Sequence, residues 1–571
     1  MTPAASLDLF VLTFNCAKNI IDVDVFARHL QGALRQHGQR REGRGSRPKD
    51  PVELPDLVVF SLQEISPLAQ SFVGGYLLNP YLMPFKEALN LAATGVEEQQ
   101  LQQEQEEQTK GSASRRSRPQ QSLQRSTSTL PTLWRRQQDY PYKLVGSRNV
   151  GMTAIMLFAR KPDAIHHIQF AECAFGIADM GNKGAVALRV TYSGAGSPGE
   201  DEDEDEDEAA TDPAEQRTTV ITFVATHLAA MEYNLRRRNA NWASIVSSCT
   251  FENPKEVVSP EFHQDAEPGA KNVVDASTKD VTGGKQTDGG QDIPPPTEDE
   301  RAHLLKRRQT FKSMPKDEAK RLHDASIFKP GSHFFVAGDL NYRVSTKSPP
   351  TAAPFPTLDN YLPFFEKDQL TEERRENRTL HGLSEAEVKF PPTYKIKHLG
   401  PDKFAEAVNK DEIQAGGEDV VPWKWASHRW PGWCDRILYL DIPSWVKRRH
   451  GDKAAVEIVV HKYNSMPTML SSDHQPVFLR VSVPLLTPDE LSPGDEDTEG
   501  TGEGSTEATD PRLHLPLPVD LAAWERRASA RKKEITTGMM TLFFSTREGA
   551  VVLGTVAVVS LMTWWLYRGG M

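Results

Sequence analysis

The 571-residue sequence contains only four cysteines, which are widely scattered along the chain. They form no C-x-x-C pair and no dense framework, which excludes a small secreted fold held by disulfides and predicts reduced thiols in a cytosol-facing domain. The first residues, MTPAASLDLF, have no basic stretch followed by an apolar stretch, so the sequence predicts no signal peptide. Internal repeats are also missing.

An excess of positive charge is absent as well, because the formal net charge is -11. Eight negative charges come from one uninterrupted acidic run at residues 201–208, and without them the net charge is -3. A run of this kind is typical of a solvated loop. A nearly neutral remainder argues against a dedicated nucleic-acid-binding protein, so we expect no nucleic-acid partner.

Apolar segments of strand length recur through the chain, and helical patterns at residues 24–34 and 232–247 lie between them. Several are apolar at nearly every position, which is typical of strands buried on both faces. Strands alternating with covering helices predict an α/β protein with packed sheets. The predicted strands are residues 7–14, 56–62, 153–159, 185–192, 219–226, 332–337, 436–440, 455–461 and 476–483.

The composition predicts one large folded domain, residues 1–486, interrupted by insertions. Polar, Gly/Pro-rich or charged stretches near residues 97–138, 193–217 and 253–322 bury too little apolar surface to order themselves, so we expect disorder there. Part of 302–321 fits a basic helix. Residues 487–548 are predicted to form a flexible linker, ending in a basic cluster suited to an anionic membrane surface: Arg526, Arg527, Arg531, Lys532 and Lys533.

Residues 549–567, GAVVLGTVAVVSLMTWWLY, carry no charge and have about the length that crosses a hydrocarbon core. Trp564, Trp565 and Tyr567 gather at one end, as aromatic residues do at a bilayer interface. We expect a transmembrane tail anchor with the folded domain in the cytosol; the alternative is a buried core helix. The single cation after the span favours the endoplasmic reticulum membrane over the mitochondrial outer membrane.

Polar residues stand at or just beyond the ends of the apolar strands, where loops are held by a rigid scaffold. The most informative segment is FVAGDLNYR at residues 335–343. Asp339 and Asn341 are two apart, so in extended backbone they point to the same side, one as a base and the other as a neutral hydrogen-bonding group. Gly338 allows close approach of backbone or ligand. A lone G-D-x-N also fits an ordinary turn.

Three further segments carry candidate chemistry. In PGWCDRILY (431–439) and SSDHQP (471–476), the Asp435–Arg436 and Asp473–His474 pairs also fit a surface ion pair and a loop. In SLQEI (61–65), Glu64 ends an apolar strand and suits a hard cation such as Mg²⁺. In GNKGA (181–185), Lys183 between two glycines either approaches a phosphate or sits in a plain turn.

These motifs resemble those of the inositol polyphosphate 5-phosphatase family, in the family's order, from about residue 7 to residue 483 apart from the insertions. Val336 stands where the family usually has Trp, and Gly432 where it usually has Ala or Ser. The tail-anchored architecture is similar to the short fungal phosphatidylinositol 4,5-bisphosphate 5-phosphatases of the endoplasmic reticulum. The matching blocks are FNCAKN, SLQEI, RNVGMTAIMLFAR, GNKGAVALRV, THLAAMEYNLRRRN, FVAGDLNYR, PPTYKI, PGWCDRILY and SSDHQPV.

The resemblance implies a four-layer α/β sandwich of the DNase I-like kind, with two packed mixed sheets flanked by helices. It also implies a magnesium site at Glu64, with Asn15 nearby. Asp339 would orient and deprotonate the attacking water, and Asn341 would contact the scissile phosphate.

Further roles follow from the same resemblance. His474, oriented by Asp435, would stabilise charge on the phosphate, with Asp473 beside it, and His227 would be another phosphate contact. The remaining residues concern substrate binding: Lys183, Tyr394 and Lys395 would meet the neighbouring 4-phosphate, and Arg343 would support either the Asp339 loop or a phosphate.

The activity so implied is magnesium-dependent hydrolysis of the 5-phosphate of phosphatidylinositol 4,5-bisphosphate by a monomer, giving phosphatidylinositol 4-phosphate through in-line attack of water. Two alternatives remain. A metal-dependent nuclease of the same fold would use nearly the same residues, but it has no use for the 4-phosphate contacts or a membrane anchor. An inactive phosphoinositide-binding membrane scaffold would not need the complete set of catalytic residues.

Overall fold

The computed structural model describes residues 5–35, 54–113, 140–176, 179–194, 217–265, 298–415, 417, 419–451, 456–494, 496–497, 510–545 and 547–569. Most of the three predicted insertions lies outside these ranges. The described parts do not show the expected disorder. One long helix runs on through residue 113, residues 193–194 and 217 belong to strands, and part of 302–321 forms helices, as predicted.

The strands in the described part of the chain are β1 (Ser6–Asn15), β2 (Leu57–Gln63), β3 (Lys143–Val150), β4 (Thr153–Ala159), β5 (Ile165–Ala174), β6 (Gly184–Gly194), β7 (Arg217–His227), β8 (His333–Asp339), β9 (Ile396–His398), β10 (Trp423–Trp425), β11 (Asp435–Tyr439), β12 (Val459–Ser465) and β13 (Val477–Pro484). The α-helices are α1 (Val23–Arg35), α2 (Leu68–Val73), α3 (Asn79–Ala113), α4 (Leu235–Ser248), α5 (Pro254–Val257), α6 (Glu298–Ser313), α7 (Lys316–Ala325), α8 (Leu362–Phe365), α9 (Gln369–Arg375), α10 (Lys410–Gln414), α11 (Ser444–His450), α12 (Pro488–Leu491), α13 (Ala523–Ser545) and α14 (Arg547–Gly569).

Two mixed sheets form the centre of the domain. One has six strands in the order β12-β13-β1-β2-β4-β3, and the other has five in the order β11-β8-β7-β6-β5. The pairs β1–β2 and β7–β8 are parallel, and the other neighbouring pairs are antiparallel. The short strands β9 and β10 form a separate antiparallel pair.

The core explains why the central strands are apolar at nearly every position. Along β1, Leu9 and Val11 face the other sheet, whereas Phe10, Leu12 and Phe14 face the helices α1 and α3. Successive side chains of a strand point to opposite faces, so a strand covered on both sides must be apolar at both. The second sheet is covered on its outer face by α4. The predicted four-layer α/β arrangement is therefore confirmed.

Val336, one of the two departures from the resembled family, belongs to the outer core of the second sheet. It is fully buried in a cluster that includes Trp242 and Ile245 of α4. At the other departure, Gly432, a Cβ atom would meet no atom within 4 Å. Val336 is thus packed in the core, whereas the space beside Gly432 would accept a larger side chain.

The interpretation of Asp435 and Arg436 as a surface ion pair is wrong. Neighbouring residues of β11 point to opposite faces, and the Arg436 side chain is fully buried between two other carboxylates. Its Nε atom lies 2.6 Å from Glu385 Oε1, and its Nη1 atom lies 3.0 Å from Asp368 Oδ2. Arg436 therefore stabilises the domain interior, and Asp435 remains available to a different partner.

The described end of the segment predicted as a flexible linker is packed against the domain. Arg512 is almost fully buried and donates a hydrogen bond to the Asp441 carbonyl oxygen at 2.6 Å. In α13, Arg526 pairs with Asp520, Arg527 with Glu172, and Arg531 donates to a backbone carbonyl of α2. The three arginines of the predicted membrane-facing cluster are thus paired within the protein, because carboxylates and carbonyls lie within reach. Lys532 and Lys533 remain exposed.

The segment predicted to span a membrane forms helix α14. Among the residues that the structure describes, no helix is long and apolar enough to cross a membrane. The predicted transmembrane anchor is therefore not supported by the described residues. The predicted endoplasmic reticulum location depended on that anchor, and no observation on the structure tests it.

Candidate active site

The ends of five strands bring polar residues of the sequence motifs together. Strands β7 and β8 are parallel, and His227 and Asp339 are register partners at their last residues. Strand β11 runs antiparallel to β8 and begins beside the same point, where Asp435 pairs with Asp339. In the other sheet, Asn15 ends β1 next to the end of β2. A hydrogen bond of 2.9 Å from Asn15 Nδ2 to Asp339 Oδ2 joins the two sheets at this edge.

Asp339 is a buried, ionised carboxylate at the centre of this cluster. Its Oδ2 atom lies 3.1 Å from His227 Nε2, and its Oδ1 atom accepts a hydrogen bond of 3.1 Å from the Asn341 backbone N–H. Burial raises the pKa of Asp339, but the neighbouring His227, His474 and Lys183 outweigh it and hold the pKa well below its usual range. A carboxylate in this state can orient a water molecule and accept its proton.

Gly338 is required for the close approach of two strands. A Cβ atom at this position would lie 2.0 Å from the Thr226 carbonyl oxygen of β7. The expected close approach is therefore confirmed, with backbone as the approaching group.

The prediction that Asp339 and Asn341 share one side of an extended strand is wrong. Strand β8 ends at Asp339, and Asn341 has a left-handed φ of 57°. The chain turns here because the backbone N–H groups of Leu340 and Asn341 both donate to the Cys434 carbonyl oxygen, at 2.7 and 3.3 Å. The turn still keeps Asn341 at the site, with its Nδ2 atom donating to the Leu228 carbonyl oxygen at 3.2 Å.

Arg343 supports the Asp339 loop, which was one of its two predicted roles. It is buried, its Nε atom donates to the Asn341 carbonyl oxygen at 3.1 Å, and its Nη2 atom donates to Asn341 Oδ1. Its guanidinium carbon lies 4.3 Å from the centroid of the Tyr394 ring. These contacts hold Asn341 and Tyr394 in place.

His474 and Asp435 form a buried pair. His474 Nδ1 lies 2.9 Å from Asp435 Oδ2, the oxygen that also accepts a hydrogen bond of 2.7 Å from Thr393 Oγ1. The other ring nitrogen, Nε2, lies 3.9 Å from Asp339 Oδ2. Burial lowers the pKa of His474, but Asp435 and Asp339 outweigh it and raise the pKa to about 9. His474 is therefore a positively charged imidazolium at neutral pH.

Among the described residues, Asp339, Asp435 and His474 form a group close enough to hold a metal ion, with ligand atoms within 4.8 Å of one another. Its atoms are already engaged with one another and with a neighbouring group: His474 Nδ1 lies 2.9 Å from Asp435 Oδ2, and Asp339 Oδ2 accepts a hydrogen bond of 2.9 Å from Asn15 Nδ2. This group is better described as a hydrogen-bonded charge cluster.

Glu64 fits a hard divalent cation better. Its carboxylate is one-quarter exposed and lies 3.1 Å from Lys18 Nζ and 4.0 Å from Lys183 Nζ. Burial raises the pKa of Glu64, but His227, Lys183 and Lys18 outweigh it and lower the pKa below its ordinary value. Asn15 lies at the end of the neighbouring strand, and its amide oxygen accepts a hydrogen bond of 3.0 Å from the Ala17 N–H. An ionised carboxylate with such a neighbour and access to solvent matches the ligands of Mg²⁺.

Lys183 lies in the cluster rather than in an isolated turn. Its Nζ atom contacts His227 through both ring nitrogens, with 3.2 Å to Nδ1. Burial lowers the pKa of Lys183, although Asp339 and Glu64 act against it. A cation so placed adds positive charge on the side of the site opposite His474.

Tyr394, Lys395 and Asp473 lie together beside His474. The centroids of the Tyr394 and His474 rings are 4.6 Å apart, and Lys395 Nζ is paired with Asp473 Oδ2. The structure thus brings together all the site residues predicted from the sequence. Asp473 contacts Lys395 directly, which ties it to the substrate-binding group.

Some contributing residues were missed, although they lie inside the quoted motifs. Lys18 pairs with Glu64, and Thr393 donates to Asp435. Ser472 accepts a hydrogen bond of 3.1 Å from the His474 N–H and donates one of 2.6 Å to the Asn15 carbonyl oxygen. Their adjacency to the predicted residues was the available signal, since polar neighbours of buried charges are needed to complete hydrogen bonding.

The sequence is similar to those of several known proteins. The chain is 26% identical over 340 residues to type II inositol polyphosphate 5-phosphatase 14 of Arabidopsis thaliana, covering 59% of this chain and 23% of that protein. It is 30% identical over 203 residues to phosphatidylinositol 3,4,5-trisphosphate 5-phosphatase 1 of Homo sapiens, covering 34% of this chain and 15% of that protein. The chain thus spans less than a quarter of the length of these relatives.

One solved structure that the chain matches is the inositol polyphosphate 5-phosphatase domain of SPsynaptojanin, in complex with inositol (1,4)-bisphosphate and calcium ion. The two chains are 16% identical, and the match covers 94% of this chain and 92% of that chain with a TM-score of 0.41. The sequence also matches the description "Endonuclease/Exonuclease/phosphatase family 2" over residues 12–268 and 297–480, which is most of the chain. The chain therefore belongs to endonuclease/exonuclease/phosphatase family 2.

Proposed function

We propose that this protein hydrolyses the 5-phosphate of phosphatidylinositol 4,5-bisphosphate, giving phosphatidylinositol 4-phosphate. The observation that carries the proposal is the buried, ionised Asp339 facing a positively charged His474, which Asp435 holds in place. The pair supplies both requirements of hydrolysis by water, a proton acceptor and a fixed positive charge. The names of the similar 5-phosphatases support the choice of substrate class.

In this proposal each residue acts through the contacts already described. Asp339 accepts the proton of the attacking water, and Asn15 and His227 hold its carboxylate in position. The imidazolium of His474 lies 3.9 Å from Asp339 and stabilises the negative charge that develops on the phosphate oxygens. Asn341 is held at the turn after β8, where its side chain can contact the same phosphate.

Glu64 and Asn15 would hold Mg²⁺ in this site. When bound, the ion would neutralise developing charge on the phosphate and help to orient the substrate. Lys18 and Lys183 compensate the Glu64 carboxylate in the described contacts.

The preference for a neighbouring 4-phosphate is argued from three side chains. Lys183 contacts His227, Tyr394 lies against His474, and Lys395 is paired with Asp473 next to His474; two of the three are cations. A substrate with one phosphate at the reacting centre offers these side chains no second anion, whereas a vicinal bisphosphate does.

The proposal is tested by phosphate release from short-chain lipids by the purified full-length chain with Mg²⁺. Parallel assays use the 4,5-bisphosphate, the 3,4,5-trisphosphate, the 5-phosphate and soluble inositol trisphosphate. We expect the highest kcat/KM on the 4,5-bisphosphate and loss of activity after chelation. Release from none of the substrates would favour the inactive scaffold, and nicking of supercoiled DNA without phosphate release would favour the nuclease.

Lys183→Ala is expected to lower kcat/KM on the 4,5-bisphosphate by about 10- to 100-fold, and much less on the 5-phosphate. A charge-assisted contact between Lys and phosphate contributes about 1.5–3 kcal/mol, and only the first substrate carries the additional anion. The matched control is Lys532→Ala, an exposed lysine of α13. Equal losses on both substrates would mean that Lys183 acts through His227 or Glu64 and not through the 4-phosphate.

A further inference from the structure

Helix α13 contacts the segment that carries Lys183, although the two are far apart in sequence. The Lys183 loop, residues 179–183, precedes β6 and connects directly to the proposed substrate contact. The Gly181 backbone N–H in this loop donates a hydrogen bond of 2.8 Å to Glu534 Oε1, and the two residues are 353 positions apart. Gly181 belongs to the GNKGA motif, whereas Glu534 lies outside every motif from which the site was predicted.

Gly181 is fixed from both sides of its peptide backbone. Its carbonyl oxygen accepts a hydrogen bond of 3.0 Å from the Met152 N–H, in the turn between β3 and β4. A Cβ atom at Gly181 would lie 2.8 Å from the Gly151 backbone nitrogen, so the loop packs closely on this turn. Because the Glu534 carboxylate accepts the Gly181 N–H, both backbone hydrogen-bonding groups of Gly181 have a partner.

Glu534 is a fully buried carboxylate with two arginine partners. Arg527 Nη1 lies 2.6 Å from Glu534 Oε1, and Arg531 Nη1 lies 3.3 Å from Oε2. Arg527 also pairs with Glu172 of β5, at 2.8 Å. Removing one partner of a buried, hydrogen-bonded charge pair leaves an uncompensated charge, so such groups hold a fixed geometry.

The rest of α13 is held against α2. Arg531 donates hydrogen bonds of 2.6 and 3.1 Å to the carbonyl oxygens of Phe72 and Val73. A Cβ atom at Gly538 would lie 3.0 Å from the Ala69 carbonyl oxygen, which shows how closely the helix approaches. Glu534 is thus presented to Gly181 by a helix that is itself anchored on both sides of that residue.

We propose that Glu534 is a positioning residue for substrate recognition, which holds the Lys183 loop through Gly181 so that Lys183 faces the neighbouring phosphate of the substrate. This deepens the proposed function and rests on it. Glu534 touches neither substrate nor reacting atoms in this proposal. Its role is to link the position of helix α13 to the preference of the site for a substrate that carries a neighbouring phosphate.

The kinetic test uses full-length Glu534→Ala and the milder Glu534→Gln, with Glu525→Ala as the control. Glu525 is on the same helix but is exposed and pairs with Lys255 at the surface, a contact of small effect. For Glu534→Ala we expect KM on the 4,5-bisphosphate to rise about tenfold, with kcat and activity on the 5-phosphate little changed. Added to Lys183→Ala, the substitution should cause no further loss of selectivity.

A structural readout separates the two proposals. Hydrogen exchange of peptides covering residues 179–184 should accelerate at least tenfold in both Glu534 variants and remain unchanged in Glu525→Ala. If Lys183→Ala fails to discriminate the two lipids, the proposed substrate contact is wrong. If Lys183→Ala discriminates while the Glu534 variants alter neither selectivity nor exchange, the positioning role of Glu534 is wrong. If Glu534→Ala does not fold, the results for Glu534→Gln decide between these outcomes.

Discussion

Asp339→Asn is expected to lower kcat by about 1,000-fold or more while leaving the fold intact. A positioned general base contributes about 10²- to 10⁴-fold to a rate, and the amide cannot accept a proton from water. Asp339 is an ionised carboxylate that faces both histidines, at 3.1 Å from His227 and 3.9 Å from His474. The amide retains the shape of the side chain and can still accept the hydrogen bond from the Asn341 N–H.

The control for this variant is Asp163→Asn, since Asp163 is exposed and follows β4 at the end of the sheet remote from the site. Both proteins should show the thermal unfolding and circular dichroism of a folded chain. The measurement is single-turnover phosphate release at saturating Mg²⁺. An Asp339→Asn protein that retains the wild-type rate would exclude Asp339 as the base.

Strand positions were predictable wherever both faces of a strand are buried. The sequence patterns located β1, β2, β4, β6, β7, β8, β11 and β13, whose burial is nearly continuous. They missed β3 and β5, which have exposed positions and lie at the edges of their sheets, and also the short strands β9 and β10. The predicted strand at 455–461 overlaps β12 only at residues 459–461. An edge strand carries polar residues on its open side, so it leaves no continuous apolar run in the sequence.

The site was predictable as a set of motifs, but its internal geometry was not. Asp339, His227 and Asp435 converge because strand ends meet at one edge, which motif order and strand patterns indicate. The turn at Asn341 depends on a hydrogen bond to Cys434, far along the chain. The contact between Glu534 and Gly181 depends on how α13 docks, and no local pattern in the sequence encodes that docking.

Asp435→Asn is expected to lower kcat at pH 7.5 by about 100-fold, because His474 then loses its proton. Burial by itself lowers the pKa of His474, and Asp435 and Asp339 are the first two groups that raise it to about 9, with Asp473 acting in the same direction. Without the Asp435 charge the pKa falls, and a neutral imidazole stabilises phosphate charge poorly. Loss of one preorganised charge-stabilising group costs about 10²- to 10³-fold in kcat.

The pH profile distinguishes this loss of charge from a loss of shape. In the wild-type protein His474 stays protonated until the pH rises through about 9. Activity should therefore decline as the pH rises through that value. In Asp435→Asn the same decline should begin at least one pH unit lower, and activity should recover as the pH falls toward 6. Asp339 and Glu64 have lowered pKa values and remain ionised over this range. His474→Gln, which cannot be protonated, should be equally slow without any recovery. If the pH profile of Asp435→Asn had the same shape as that of the wild-type protein, Asp435 would act only on the orientation of His474 and not on its charge.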